Sequence, residues 1–167
     1  GGFGLIITGG YASAGGAEVT TAALNAMDNP AAFNSTISKA TEKVNAYGTK
    51  FFVEVGAPFG RVAFLETLVP VMNCPPVAPS AVPSRWDPSV MCRALTTEEC
   101  YGLINAQLDS ASAAVNAGAD GICVGGPYGG YFTDQFATPL FNQRDDEFGF
   151  AQGGQFRIAT DVIKGLK

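Results

Sequence analysis

Residues 117–149 read AGADGICVGGPYGGYFTDQFATPLFNQRDDEFG, and the chain is organised around them. Within this stretch, Gly121-Ile-Cys-Val-Gly125 is short, apolar and bounded by glycines, the pattern of a fully buried parallel strand. It follows a helix-like segment and runs into a loop of glycines, aromatics and amides. In α/β folds, ligands bind where such a strand delivers its carboxyl end into a loop.

Immediately upstream, Thr96-Thr-Glu-Glu99 forms a capping box, with Thr96 as the cap and Glu99 reaching back. The helix it opens carries Cys100, Leu103, Ile104, Leu108, Ala111 and Val115 on one face, and Gly118 closes it. Earlier still, Phe51-Phe-Val-Glu-Val55 reads as a strand with Glu54 among apolar neighbours, where a buried carboxylate needs a partner. The helix before that strand is expected to begin at Asn34 or Ser35, to present Ile37, Ala40, Val44 and Tyr47, and to end at Gly48. Gly4-Leu-Ile-Ile-Thr8 reads as the first buried strand, and residues 11–33 as loop. Downstream, Phe156, Ala159, Ile163 and Leu166 recur at helical spacing. The order is strand–helix three times over, with right-handed parallel crossovers expected. Residues 56–95 form a long Pro-rich loop of the kind that covers something or carries function. Trp86 lies within it and reads as packing.

A chain of 167 residues suffices for one domain with a real core but not for a barrel of about 250 residues. Charged residues are only 15%, against the usual ~25%, which suggests that part of the surface is covered by more protein. The net charge of −5 argues against a nucleic-acid partner. No apolar run is long enough to span a membrane, and the start lacks the pattern of a signal peptide, so a cytoplasmic location is expected. Cys74, Cys92, Cys100 and Cys123 lack C-x-x-C spacing and the chain has no histidine, so no metal site is expected. Reduced, buried thiols are the simpler reading. Gly125-Gly-Pro-Tyr-Gly-Gly130 fits neither a dinucleotide fingerprint nor a P-loop.

Gly130-Tyr131, Asp134-Gln135-Phe136 and Asn142-Gln-Arg144-Asp-Asp146-Glu147-Phe148-Gly149 resemble the GY-x-x-DQF and N-x-R-x-DEYG signatures of the old yellow enzyme family. Ala78-Pro-Ser-Ala-Val-Pro-Ser-Arg-Trp-Asp-Pro88 and Cys92-Arg-Ala-Leu-Thr96 are similar to its enoate reductase and bile-acid-inducible branch. The resemblance implies an α/β fold, part of a (β/α)8 TIM barrel with a parallel sheet. Residues 1–167 would form a single partial domain of about three βα units, the family's units two to four. It also implies FMN as cofactor, NAD(P)H as reductant, and reduction of an activated C=C bond in an enoate or enone.

Site residues follow from the same resemblance. Tyr131 matches the tyrosine that protonates the substrate's α-carbon. The paired side chains that hold the substrate carbonyl oxygen fall on Gly125 and Tyr128. Gly125 can donate nothing from a side chain, and losing one preorganised donor typically costs ~3 kcal/mol of barrier. Gly10 matches a backbone contact to the flavin, or is a plain turn after the first strand. Glu54 stands where the family has a glutamine on the flavin pyrimidine edge; alternatively it pairs with Arg61. An ionised carboxylate only accepts, whereas glutamine also donates. Arg144, Asp146 and Glu147 read as a cluster that pins the loop.

Two functions therefore stand at this stage. One is an FMN-dependent reductase acting on a small molecule. The other is a non-catalytic barrel segment acting as a structural or interaction subunit. In both, another chain or another copy is expected on the exposed sheet edges.

Overall fold

The computed structural model describes residues 2–9, 11–12, 29–56, 59–65, 75–125 and 129–167, with the backbone alone at 11–12. Gly10 and Tyr128 lie outside the described residues, as do Cys74 and most of the loop expected at 11–33.

Strand β3 (Lys50–Gly56) is the axis of the sheet. On one side it pairs in parallel first with β1 (Leu5–Ile7) and then with β2 (Tyr11–Ala12). On the other it pairs in parallel with β6 (Gly121–Val124). Helix α1 (Pro30–Asn45) crosses from β2 to β3, and α2 (Thr97–Asn116) precedes β6. A short two-stranded parallel ladder, β4 (Val77–Ala78) with β5 (Arg93–Ala94), orders part of the long loop. Two further helices, α3 (Phe132–Phe136) and α4 (Arg157–Gly165), follow β6. This is a parallel-sheet segment of an α/β barrel, as expected.

The period of two along β3 decides what faces where. Phe51, Val53 and Val55 are buried and pack against Phe33 and Ile37 of α1 and Ala111 and Ala114 of α2. Fully burying a valine side chain is worth roughly 1.5–3 kcal/mol, so this row holds the helices to the sheet. Phe52, Glu54 and Gly56 point the other way and are only half-buried. A second core joins α2, α4 and the loops after β6 through Leu103, Ile104, Phe132, Phe136, Phe148, Ile158 and Val162.

Local signals set the helix ends. The Thr96–Glu99 capping box is present in both directions, at 3.1 and 2.8 Å. Helix α1 starts earlier than expected: Asn29 is the cap, its Oδ1 accepting from the Ala32 amide at 3.0 Å, and Pro30 occupies the first turn. Pro30 starts the helix because its missing N–H would have no partner there. Gly48 and Gly118 follow the helices with φ of 73° and 100°.

Several burial expectations are corrected. Leu5, Ile6 and Ile7 are exposed rather than buried, since β1 is the sheet's edge strand and no described element covers it. All four residues of β6 are half-buried for the same reason. In α4 the buried pair is Ile158 and Val162, whereas Phe156, Ile163 and Leu166 are exposed. Two apolar stripes overlap in that segment, and the one four residues apart meets α2. Tyr47 lies beyond α1 and is exposed, as is Val115 on α2.

Candidate functional site

The carboxyl ends of β3 and β6 meet at Gly56 and Gly125, where the Gly125 amide donates to Val55 O at 2.8 Å. Glu54 pairs in register with Cys123, so both side chains rise from the face turned away from the helices. The Glu54 carboxylate lies back over Gly125 and occupies the space that a Cβ there would need. One step down the same face, the Phe52 ring fills the equivalent space over Gly121. Glu54 is thus half-exposed rather than buried among apolar neighbours, because Val53 and Val55 point through the sheet to the helices. Its amide is held by the Thr8 hydroxyl at 3.0 Å, just past the end of β1. Burial pushes the Cys123 thiol up, and the Glu54 charge adds to that shift.

The alternative reading of Glu54, an ion pair with Arg61, is not found. Arg61 Nε donates to Pro83 O at 3.2 Å, and its guanidinium lies 4.2 Å from the centre of the Phe141 ring.

Tyr131 stands just beyond β6, at the start of α3. Its ring packs against the backbone of Gly129, where a Cβ would stand 3.3 Å from it, and against Phe59, with ring centres 5.4 Å apart. Phe59 in turn meets Phe64 edge to face at 5.8 Å. The loops carrying Phe59 and Tyr131 are locked together by Gln135, which is 1% exposed. Gln135 Nε2 donates to Phe59 O at 3.1 Å and to Gly130 O at 2.8 Å, while Oε1 accepts from the Arg61 amide at 3.2 Å. Both of the amide's donors and one acceptor position are used. Gly60 makes this possible: its φ is +67°, and a Cβ there would fall 2.6 Å from the Gln135 amide.

Behind the site, Arg144 and Asp146 pin the loop as expected. Arg144 Nε donates to Asp146 Oδ1 at 2.9 Å, Nη2 donates to Oδ2, and Nη1 donates to Pro79 O at 2.9 Å and to Leu95 O. Asp146 also accepts from the Thr97 hydroxyl at 2.6 Å and the Phe148 amide at 3.1 Å. The Arg144 guanidinium above all holds the Asp146 carboxyl down at about 2. Glu147 accepts from the Tyr101 hydroxyl at 2.8 Å. Cys92 and Cys100 are buried, and burial pushes the Cys100 thiol up to about 12. Among the described residues no cluster suits a metal ion, and no helix is long and apolar enough to cross a membrane.

Of the sequence-derived site residues, Glu54 and Gly125 meet at the carboxyl ends of β3 and β6, and Tyr131 stands at the start of α3; Gly10 and Tyr128 are outside the described residues. Sequence reasoning read Asp134-Gln135-Phe136 as a signature and missed what Gln135 does. Its partners lie 76 and 74 residues away, and only Gly60 beside Arg61 hinted at a close approach. Trp86 is no core residue: it is 59% exposed, with Nε1 donating to Val62 O at 2.8 Å.

Comparison with known proteins follows the same lines. The model of the NADH:flavin oxidoreductase / NADH oxidase family matches residues 1–166. A cinnamate reductase of Clostridium sporogenes is 41% identical over 139 residues, covering 83% of this chain and 20% of that protein. An NADH:fumarate oxidoreductase of Klebsiella pneumoniae is 32% identical over 127 residues, 76% of this chain and 13% of the relative. An NADPH dehydrogenase of Bacillus velezensis is 32% identical over 130 residues, 78% of this chain and 36% of the relative. Among solved structures, morphinone reductase in complex with tetrahydroNAD superposes with a TM-score of 0.76 at 23% identity, over 97% of this chain and 47% of its own. The old yellow enzyme homologue of Zymomonas mobilis gives 0.78 at 25% identity, over 97% and 46%. The chain thus spans less than half the length of each of these proteins, from 13% to 47%.

Proposed function

The chain belongs to the NADH:flavin oxidoreductase / NADH oxidase family, the old yellow enzymes, and on that premise we propose that it forms one wall of an ene-reductase site. We read residues 1–167 as barrel units two to four of that family. The reaction is the NAD(P)H-dependent, FMN-mediated reduction of an activated C=C bond, with enoates as the favoured substrates. The relative at 41% identity is a cinnamate reductase, which supports that substrate class. What supports the reading is that Tyr131, which matches the family's proton donor, is fixed against Phe59 and Gly129 in the segment after β6, and that Gln135 ties this segment to the one after β3.

The residues fit FMN at one edge of its ring. Glu54 leans over Gly125, and an ionised carboxylate there would accept from an imide N–H of the ring. Gly10 would add a backbone contact from the first strand. The chemistry FMN supplies when bound is transfer of hydride from NAD(P)H to the β-carbon of the double bond. Tyr131 holds the proton that goes to the α-carbon, and its phenolate regains a proton from water. By the family resemblance, positions 125 and 128 are those of the pair that binds the substrate oxygen. The phosphate is held in this family by late strands, outside units two to four, so the contacts here are to the ring alone.

One observation favours a second reading, a non-catalytic segment that serves as a structural or interaction subunit. Gly125 offers no side-chain donor to the substrate oxygen, and Glu54 fills the space where one would start. The test is NADH consumption with trans-cinnamate at saturating FMN. The reductase reading expects saturated product, and Tyr131→Phe should slow its formation by roughly 10²-fold or more without changing flavin reduction. A chain that forms no product supports the second reading, whereas a Tyr131→Phe variant as fast as the parent removes Tyr131 as the proton donor.

A further inference from the structure

Gly125 leaves a question for the reductase reading: what stabilises the charge that develops on the substrate oxygens. When hydride adds to the β-carbon of an enoate, the π pair moves toward the α-carbon and the carboxylate. The proton from Tyr131 then closes the α-carbon. The carboxylate is bonded directly to that α-carbon, so a group that binds it must sit beside the proton donor.

Arg85 reaches the residue that precedes Tyr131. Its Nη1 lies 3.8 Å from where a Cβ on Gly130 would stand, next to Tyr131 in the chain, and nothing but hydrogen occupies that Gly130 position. The backbone carrying Arg85 is fixed. The Arg85 amide donates to Arg61 O at 2.9 Å, the Ser84 hydroxyl to the same oxygen at 3.3 Å, and Trp86 Nε1 to Val62 O at 2.8 Å. The Arg61 amide is bound by Gln135, which also binds Gly130 O. Arg85 and Tyr131 are therefore held in one frame by a short run of hydrogen bonds. The guanidinium is exposed and lies 5.3 Å from the Trp86 ring centre, and no carboxylate among the described residues pairs with it. The other arginine of this frame, Arg61, already binds Pro83 O and the Phe141 ring. Along the wall beyond Tyr131, Phe59 and Phe64 present apolar rings, Phe64 being 54% exposed.

We propose that Arg85 is the specificity-determining residue of this site, binding the carboxylate of an α,β-unsaturated acid whose apolar end lies along Phe59 and Phe64. Planar, bidentate pairing of guanidinium with carboxylate suits arginine and not lysine. It also supplies positive charge to the developing enediolate where a Gly125 side chain supplies none. The inference rests on the reductase reading for its substrate, but its test is a binding measurement that needs neither flavin nor turnover.

The experiment titrates trans-cinnamate and its uncharged methyl ester into the chain by calorimetry or ligand-observed NMR. Arg85→Gln and Arg85→Lys are run beside the parent, and circular dichroism checks that each remains folded. The expected result is tighter binding of the acid than the ester. Arg85→Gln should weaken the acid by about tenfold and leave the ester unchanged, with Arg85→Lys in between. Equal binding of acid and ester, equal loss of both in Arg85→Gln, or no binding of either overturns the proposal. Failure of the reductase reading looks different: acid binding would still depend on Arg85 while added FMN and NADH give no saturated product.

Discussion

The Glu54 carboxylate lies over the backbone of Gly125, with its Cγ and Cδ 3.1 Å from the point where a Cβ on residue 125 would stand. The two positions are coupled: a side chain at 125 and the present seat of Glu54 exclude each other. Gly125→Ala is therefore expected to destabilise by about 1–3 kcal/mol while Glu54 is present. In a Glu54→Ala background the same change should cost much less. A double-mutant cycle followed by urea unfolding reads the coupling, and additive costs would contradict it.

Gln135 is the clamp of the site. Gln135→Ala leaves Phe59 O, Gly130 O and the Arg61 amide without their partner, and a loss of roughly 2–4 kcal/mol is expected. Gly60→Ala should destabilise as well, through its positive φ and the crowding of the Gln135 amide. A Gln135→Ala variant within 0.5 kcal/mol of the parent would contradict the clamp, since ~0.5 kcal/mol is the effect of an ordinary surface change.

Acid stability tests the loop anchor. The folded Asp146 carboxyl titrates at about 2, below its ordinary 3.8, because Arg144 hydrogen-bonds to it. A depressed folded pKa gives stability that is complete above the unfolded pKa and lost as pH falls. The contribution is about 2 kcal/mol at neutral pH and should disappear between about pH 4 and pH 2. Asp146→Asn should flatten this acid limb in a series of urea titrations. Arg144→Ala leaves a largely buried carboxylate unpaired and should cost roughly 3–5 kcal/mol.

The sheet edges bear on assembly. Leu5, Ile6 and Ile7 of β1 are exposed, and clefts of about 670 and 570 Å³ flank the two edges, one beside Ile6 and Val44, the other beside Ile122 and Leu108. Both lie away from the strand ends that carry Tyr131 and Glu54. A parallel sheet is normally covered on both faces. The isolated chain is therefore expected to associate, with itself or with another chain, and light scattering that finds a stable monomer would contradict this.

Much of this arrangement was legible in the sequence where the determining signal was local. The Thr96–Glu99 capping box needs only four consecutive residues, and α2 begins where it says. The strand at Gly121 is bounded by its own glycines. Asn29-Pro30 is an equally local start signal, but Pro30 reads as loop when the residues after it are taken first. The strand at residues 51–55 was legible, yet the face on which Glu54 lies depends on α1 and α2 packing against Val53 and Val55. In α4, two apolar stripes overlap, and contact with α2 selects Ile158 and Val162. The Gln135 clamp joins residues more than 70 apart and has no local signature.

The most direct test of the account is where a flavin touches this chain. Titrating isotope-labelled chain with FMN and with lumiflavin, which has the ring but no phosphate, reads that by NMR shift changes. The account predicts weak binding of similar strength for both, with shifts centred on Glu54, Cys123, Gly125 and Tyr131. Shifts absent from these residues, or FMN held tightly and stoichiometrically while lumiflavin is not, would contradict it.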